Sequence, residues 1–349
     1  MTASLETPLV FFVPGIMGST LRFRGEGEFG QLIDEEVWGS NLWKNIDLLA
    51  ANPTRLASQN VEPGEVLKEI RIGRWGRINV YRELLNYCTD SEGLCLEGTR
   101  NFHPFAYDWR EDNRNSALEF AKFILKVDPS GQSRIKIIAH SMGGIVSRLM
   151  LLQNEAISNR TDLLFQIASP VEGSAKAFFT LKEHPKFDRI FDALWKFFHN
   201  LDPGTRSKLQ NALQGFPSLY QLLPPSSIKT IYDKTGIQYS TVDYRMWPPY
   251  LHPLVASAVA VHSALAQPLG STIKCVYSNS SDTDIFYVVN EVFNIIGSQC
   301  VDGDGTVCCS SAFAQTSASD RFLITGKGTT HNELCHHPEV LELLKESFA

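Results

Sequence analysis

The stretch Ile135-Lys136-Ile137-Ile138-Ala139-His140-Ser141-Met142-Gly143-Gly144-Ile145-Val146 decides the fold. A β-branched apolar run stops at Ala139. Ile145, Val146, Leu149, Met150 and Leu151 then recur at helical spacing. The pattern predicts strand, sharp turn and helix, with Ser141 at the apex. Such a turn lifts the serine hydroxyl clear of its own backbone. Residues two positions away must be small, because strand and helix approach closely there; Ala139 and Gly143 meet that demand. The start of the helix also aims backbone N–H groups at any anion formed beside the serine.

Working outward, alternating strands and helices predict an α/β fold with a mostly parallel sheet covered on both faces. Leu9–Val13 reads as a buried strand ending in the loop Pro14-Gly15-Ile16-Met17-Gly18-Ser19. Val80 to Cys88 reads as a helix, Asn101 to Tyr107 as a strand, and Glu111 to Val127 as a helix. Leu163–Ala168 is the next buried strand. From Val171 to about Pro268 the alternation stops, and aromatic helical segments carry Phe178, Phe179, Phe187, Phe191, Trp195, Phe197 and Phe198. This predicts a core over residues 1–170 and 269–349 with an inserted helical cap over 171–268. An irregular, lid-like segment spans about 22–77. In it, Trp38 to Trp43 suggests a short amphipathic helix whose tryptophans face core, substrate or lipid. Thr272–Tyr277 resumes the sheet, Phe286 to Phe293 suits a hairpin, Arg321 to Thr325 a strand and Glu339 to Ser347 a closing helix.

At 349 residues with a formal charge of -6, the chain can bury a large core and lacks the basic stripe that nucleic acid demands. No apolar stretch reaches membrane-spanning length. The first residues have no basic start, and the apolar run after them is cut by Pro14, so a cytoplasmic location is expected. The seven cysteines include no Cys-x-x-Cys pair, which argues against a disulfide framework or a zinc site. Cys88 and Cys95 flank a short loop and could pair only in an oxidising compartment. No cofactor or metal is expected: Asp302-x-Asp304 resembles part of a calcium loop, but the rest of that pattern is missing.

A serine hydroxyl needs a base to take its proton and a carboxylate to fix the base's tautomer. On a strand–serine–helix turn the partners follow in the order nucleophile, acid, histidine. Ser141, Asp304 and His331 supply that order. Asp304 is preferred over Asp302 as the acid, because Gly305-Thr306-Val307 restarts an apolar element after it. Asp282 and Asp284 look solvated, His336 and His337 look like surface or capping residues, and His140 reads as structural. An oxyanion would need two N–H donors, expected from the backbone of Ile16 and Met142.

The chain resembles the lecithin:cholesterol acyltransferase and lysosomal phospholipase family of α/β-hydrolases. The resemblance lies in Val13-Pro14-Gly15-Ile16-Met17-Gly18-Ser19-Thr20-Leu21, Phe105-Ala106-Tyr107-Asp108-Trp109-Arg110, Ala139-His140-Ser141-Met142-Gly143, Pro217-Ser218-Leu219-Tyr220-Gln221-Leu222-Leu223-Pro224 and Asp302-Gly303-Asp304-Gly305-Thr306-Val307. It implies Ser-Asp-His acyl chemistry on ester, chiefly lipid, substrates, a helical cap, and a tryptophan-bearing segment near residues 38–43 that meets substrate or membrane. Trp38, Trp43, Phe178, Phe179 and Trp195 are the candidate substrate contacts. The chain is short and Ile16 stands where the animal enzymes carry an acidic residue, which fits a bacterial or cytosolic relative.

Three functions fit these residues: an ester hydrolase, an acyltransferase working through the same acyl-enzyme, and a lipid-binding protein that keeps the fold without the chemistry. A fluorophosphonate probe separates the first two from the third. Labelling is expected at Ser141; a folded protein that takes no label would be a scaffold.

Overall fold

In a computed structural model of the chain, residues 8–26, 31–41, 44–45, 48, 53–71, 76–91, 93–94, 101–182 and 203–348 are described. The expected roles of Trp43, Cys95 and Trp195 fall outside them.

Six strands form the central sheet: β1 (Leu9–Val13), β7 (Phe102–Pro104), β8 (Ile135–His140), β9 (Thr161–Ile167), β12 (Thr272–Ser278) and β15 (Arg321–Ile324). Their order is β15-β12-β9-β8-β1-β7, and every neighbouring pair is parallel. β1 and β8 are almost wholly buried, as their unbroken apolar runs require. Their register pairs Leu9 with Ile135 and Val13 with Ala139. The Pro14-Gly15 loop and the His140-Ser141 turn therefore leave the sheet side by side, at its carboxyl edge.

The helices of the chain include α1 (Arg82–Thr89), α2 (Asn113–Val127), α3 (Met142–Gln153), α4 (Ala175–Lys182), α5 (Pro203–Gln214), α6 (Pro217–Gln221), α7 (His252–Leu265) and α8 (Pro338–Phe348). The helix after the serine, α3, is buried on all sides from Met142 to Leu151. It packs against α2 and α7. Asp112 caps α2 by accepting from the Arg114 amide at 2.8 Å.

Three further sheets lie among the described residues, and most of their strands were not apparent from the sequence. The segment expected to be irregular contains β2 (Ser19–Glu26), β3 (Leu32–Trp38) and β4 (Val61–Val66), an antiparallel sheet in the order β3-β2-β4. Its outer positions are charged, and Arg22–Asp34 and Arg24–Glu62 pairs, each at 2.8 Å, bridge its strands. Pro63 is tolerated because β4 lies at the edge. A small hairpin, β5 (Glu69–Arg71) with β6 (Arg77–Asn79), follows.

The segment 171–268 is not wholly helical either. β10 (Ile231–Asp233) and β11 (Gln238–Tyr239) join β13 (Ser281–Val289) and β14 (Ile295–Gly303) in a four-stranded sheet, β11-β10-β13-β14. The hairpin expected around Phe286 to Phe293 is thus real but longer, and it pairs with strands from the insertion. Strands of two or three residues leave no readable alternation.

Trp38 ends β3 instead of opening a helix. It is fully buried, donates from Nε1 to the Met17 carbonyl at 2.9 Å, and meets Trp109 edge-on. That is a packing role, away from lipid. Phe178 and Phe179 lie on α4 against Tyr287 of the second sheet, and Phe178 also meets Trp247. The Ala/Val-rich helix α7 packs on α3 and α6.

Close approach of α3 to β1 is what Gly143 permits. A Cβ there would stand 2.3 Å from the Val13 carbonyl oxygen and 2.6 Å from that of Pro14. Gly143→Ala is expected to lower stability by about 1–3 kcal/mol, the usual range for overpacking, and to weaken labelling at Ser141. Urea denaturation checks the first and probe labelling the second. A wild-type midpoint would mean that α3 can move off the sheet freely.

Candidate active site

Ser141 connects β8 to α3 with φ 52° and ψ −127°, a strained backbone for a residue with a side chain. Its amide donates to Ile167 of the neighbouring strand at 2.9 Å. Gly15 lies against it so closely that a Cβ on the glycine would meet the Ser141 Cβ at 2.9 Å. The backbone thus points the side chain into a cleft above the sheet edge.

His331 reaches the serine from the loop between β15 and α8. Its Nε2 lies 2.8 Å from Ser141 Oγ, and its Nδ1 lies 2.8 Å from Asp304 Oδ2. The backbone adds a second tie, the His331 amide donating to the Asp304 carbonyl at 3.0 Å. Asp304 is 1% exposed, and its other oxygen, Oδ1, accepts from the amides of Thr306 and Val307 at 2.9 and 2.7 Å. Three hydrogen bonds therefore hold the carboxylate in one orientation. Asp302, by contrast, is exposed on β14 opposite Asp282. The carboxylate does not follow a strand of the central sheet: it is the first residue past the hairpin β13–β14.

The loop Pro14–Ser19 forms the opposite wall. Met17 has a positive φ of 61°. The Pro14–Gly15 peptide is held on both sides: Tyr107 Oη donates to the Pro14 carbonyl and the Gly15 amide donates to Tyr81 Oη, both at 2.9 Å. Trp38 holds the Met17 carbonyl, and Trp109 Nε1 donates to the Ser19 carbonyl at 3.2 Å. Ile16 sits between these anchors and lines the cleft. Met142 opens α3, where an N–H has no acceptor within the helix. The segment Phe105–Arg110 is therefore a brace for this loop.

The cleft over Ser141 has a volume of about 110 Å³. Its apolar wall includes Ile16, Met17, Pro170, Ala177, Leu219 and Val307, and its polar groups include Ser174, Lys176, Thr180 and Asn332. Helix α4 contributes Lys176, Ala177 and Thr180, the face turned away from its aromatic pair. Of the expected substrate contacts, Trp38, Phe178 and Phe179 lie outside this lining, and α7 does not reach it. Lys176 Nζ bonds the Gly305 carbonyl and Thr306 Oγ1, both at 3.1 Å, tying α4 to the acid's loop. Sequence spacing gave no sign of Lys176, nor of Tyr81, which bonds His140 beneath the cleft. His140 is buried, and burial followed by the neighbouring His331 keeps its pKa well below the usual histidine value.

Among the described residues no cluster of side chains is suited to a metal ion. Cys88 is a buried free thiol.

Residues 115–212 match a family model described as a PGAP1-like alpha/beta domain. None of the curated proteins compared with the chain matches it. Among solved structures, the crystal structure of the Tle4-Tli4 complex superposes with a TM-score of 0.66 at 15% identity, covering 98% of this chain and 98% of that chain. The Bacillus licheniformis lipase BlEst2 in mature form gives 0.40 at 10% identity, covering 98% and 92%. EstA from Clostridium botulinum gives 0.41 at 12%, covering 99% and 88%. With its parallel sheet, flanking helices and serine between β8 and α3, the chain has an α/β-hydrolase-like fold.

The hydrogen-bonded array sets an expectation for substitutions. Ser141→Ala, Asp304→Asn and His331→Ala should each lower kcat by about a thousandfold or more while the fold survives. A Ser141/His331 double variant should be little worse than either single one, because groups acting as a unit are not additive. Asp302→Asn should be nearly silent. Steady-state kinetics with circular dichroism checks all of these; losses that multiply in the double variant would show that serine and histidine work separately.

Proposed function

We propose that the chain is a serine carboxylic-ester hydrolase, acting on acyl or lipid esters through an acyl-enzyme on Ser141. One observation carries this reading: the unbroken line from Ser141 Oγ through His331 to Asp304, each link 2.8 Å, beside a partly apolar cleft. Ser141 Oγ attacks the ester carbonyl as its proton passes to His331 Nε2. Asp304 holds the Nδ1–H and stabilises the imidazolium that forms. The Ile16 and Met142 amides receive the tetrahedral oxyanion; losing one such donor typically costs roughly 3–4 kcal/mol of transition-state stabilisation. His331 returns its proton to the departing alkoxide. Water then repeats the sequence on the acyl-enzyme and frees the acid.

The motif resemblance to the lecithin:cholesterol acyltransferase and lysosomal phospholipase family supports an acyl ester as substrate. The partly apolar wall would take the acyl chain. Peripheral contact with a lipid surface would bring such a substrate to the cleft; among the described residues no helix is long and apolar enough to cross a membrane.

The cleft, about 110 Å³ in volume, is lined in part by apolar side chains that an acyl chain would meet. Each buried methylene contributes about 0.8 kcal/mol. With monomeric p-nitrophenyl esters, kcat/KM is expected to rise from acetate over about four carbons, about two-hundredfold in total, and then level off. A steady fall from acetate would overturn the acyl-ester reading. Adding a long-chain alcohol and analysing products separates transfer from hydrolysis: a new ester in place of free acid would make the protein an acyltransferase.

A further inference from the structure

Two groups beneath the cleft take no part in the chemistry proposed above, yet together they connect its two halves. Tyr81 is 2% exposed, just ahead of α1, with its ring edge-on to Phe12. Its Oη accepts the Gly15 N–H and lies 2.7 Å from His140 Nδ1. His140 Nε2 in turn lies 3.1 Å from the backbone carbonyl of His331, and the two imidazoles stand 4.9 Å apart between centroids.

The donors and acceptors at both ends agree on one arrangement. A carbonyl only accepts, so His140 must carry its proton on Nε2. Its Nδ1 is then an acceptor, which the Tyr81 hydroxyl proton fills while the hydroxyl's lone pair takes Gly15. The chain runs Gly15 N–H to Tyr81, Tyr81 O–H to His140, and His140 N–H to His331. One end adjoins the peptide that bears the Ile16 amide. The other holds the backbone of the catalytic histidine.

We infer that Tyr81 and His140 are positioning residues that lock the oxyanion loop and the general base in one register. This rests on the ester-hydrolase reading. A neutral His140 also matters to the base: a second cation at this distance would oppose the imidazolium that His331 must form. The titratable groups around the chain are His331 and, one layer out, Cys335, Tyr107 and Asp304. None of them supplies His140 with a carboxylate contact, and burial, then His331, hold its pKa well below the ordinary value.

The test uses Tyr81→Phe and His140→Gln in the full chain, with p-nitrophenyl butyrate as substrate. Tyr81→Phe removes the hydroxyl and leaves the ring packing. It should lower kcat about 10- to 100-fold with KM little changed, as misplacement of reacting groups does. His140→Gln keeps an N–H for the His331 carbonyl, so it should retain more activity than His140→Leu. Nitrogen-15 spectra of the wild-type ring should show the Nε2–H tautomer. A Tyr81→Phe protein with wild-type kcat would overturn the inference, as would a loss of thermal stability alone. Ser141→Ala, run alongside, separates the two levels: if it keeps activity, the hydrolase reading itself has failed.

Discussion

The structure depends on one strained residue. Ser141 is held at positive φ at the end of a buried strand, a conformation that costs on the order of 1–3 kcal/mol. It persists because the elements on either side are over-determined: α3 is buried on all sides from Met142 to Leu151, and β8 is paired along its length with β1 and β9. Glycines at 15 and 143 remove the side chains that would force these elements apart. The strain is thus balanced by burial well away from the cleft, and the hydroxyl is presented without any loop having to search for its position.

The second theme is the number of aromatic side chains spent on one short loop. Tyr107, Trp109, Trp38 and Tyr81 each bond a backbone group between Pro14 and Ser19. The two glycines of this loop, Gly15 and Gly18, give its backbone freedom that has to be restrained. Buried hydroxyl and indole groups, held on large packed rings, fix its backbone through hydrogen bonds, Tyr81 accepting and the other three donating. This accounts for the Tyr107-Asp108-Trp109-Arg110 sequence better than any direct contact with substrate.

How much could be read from the sequence follows from the same physics. Leu9–Val13 and Ile135–His140 are continuous apolar runs because both faces are covered, and both emerge as strands with the expected limits to within two residues. Chain order singles out Ser141, Asp304 and His331, and the three lie in hydrogen-bond contact. What stayed hidden was antiparallel structure with one wet face. Leu32–Trp38 carries Asp34, Glu35 and Glu36 in its middle, and Val61–Val66 contains Pro63 and Gly64; neither looks like a strand until its partner is known. Trp38 and Phe178 show the other limit. Composition says that an aromatic residue is buried, but the direction it faces is set by tertiary packing, and both turn into the core.

The placement of the acid has a consequence for how such a molecule can be remodelled. Asp304 is the first residue beyond β14, whose partner β13 pairs with β10 from the preceding insertion. Between β10 and that hairpin the chain returns to the central sheet to lay down β12. The covering layer and the core are therefore interlaced along the chain, not joined at two clean seams. Recombination that exchanged residues 171–268 as a cassette would remove a neighbour of β13 and disturb the support of Asp304. The insertion's described residues reach the cleft at and beside α4 and α6, so point substitutions there would reshape it while leaving the pairing of β10 with β13 intact.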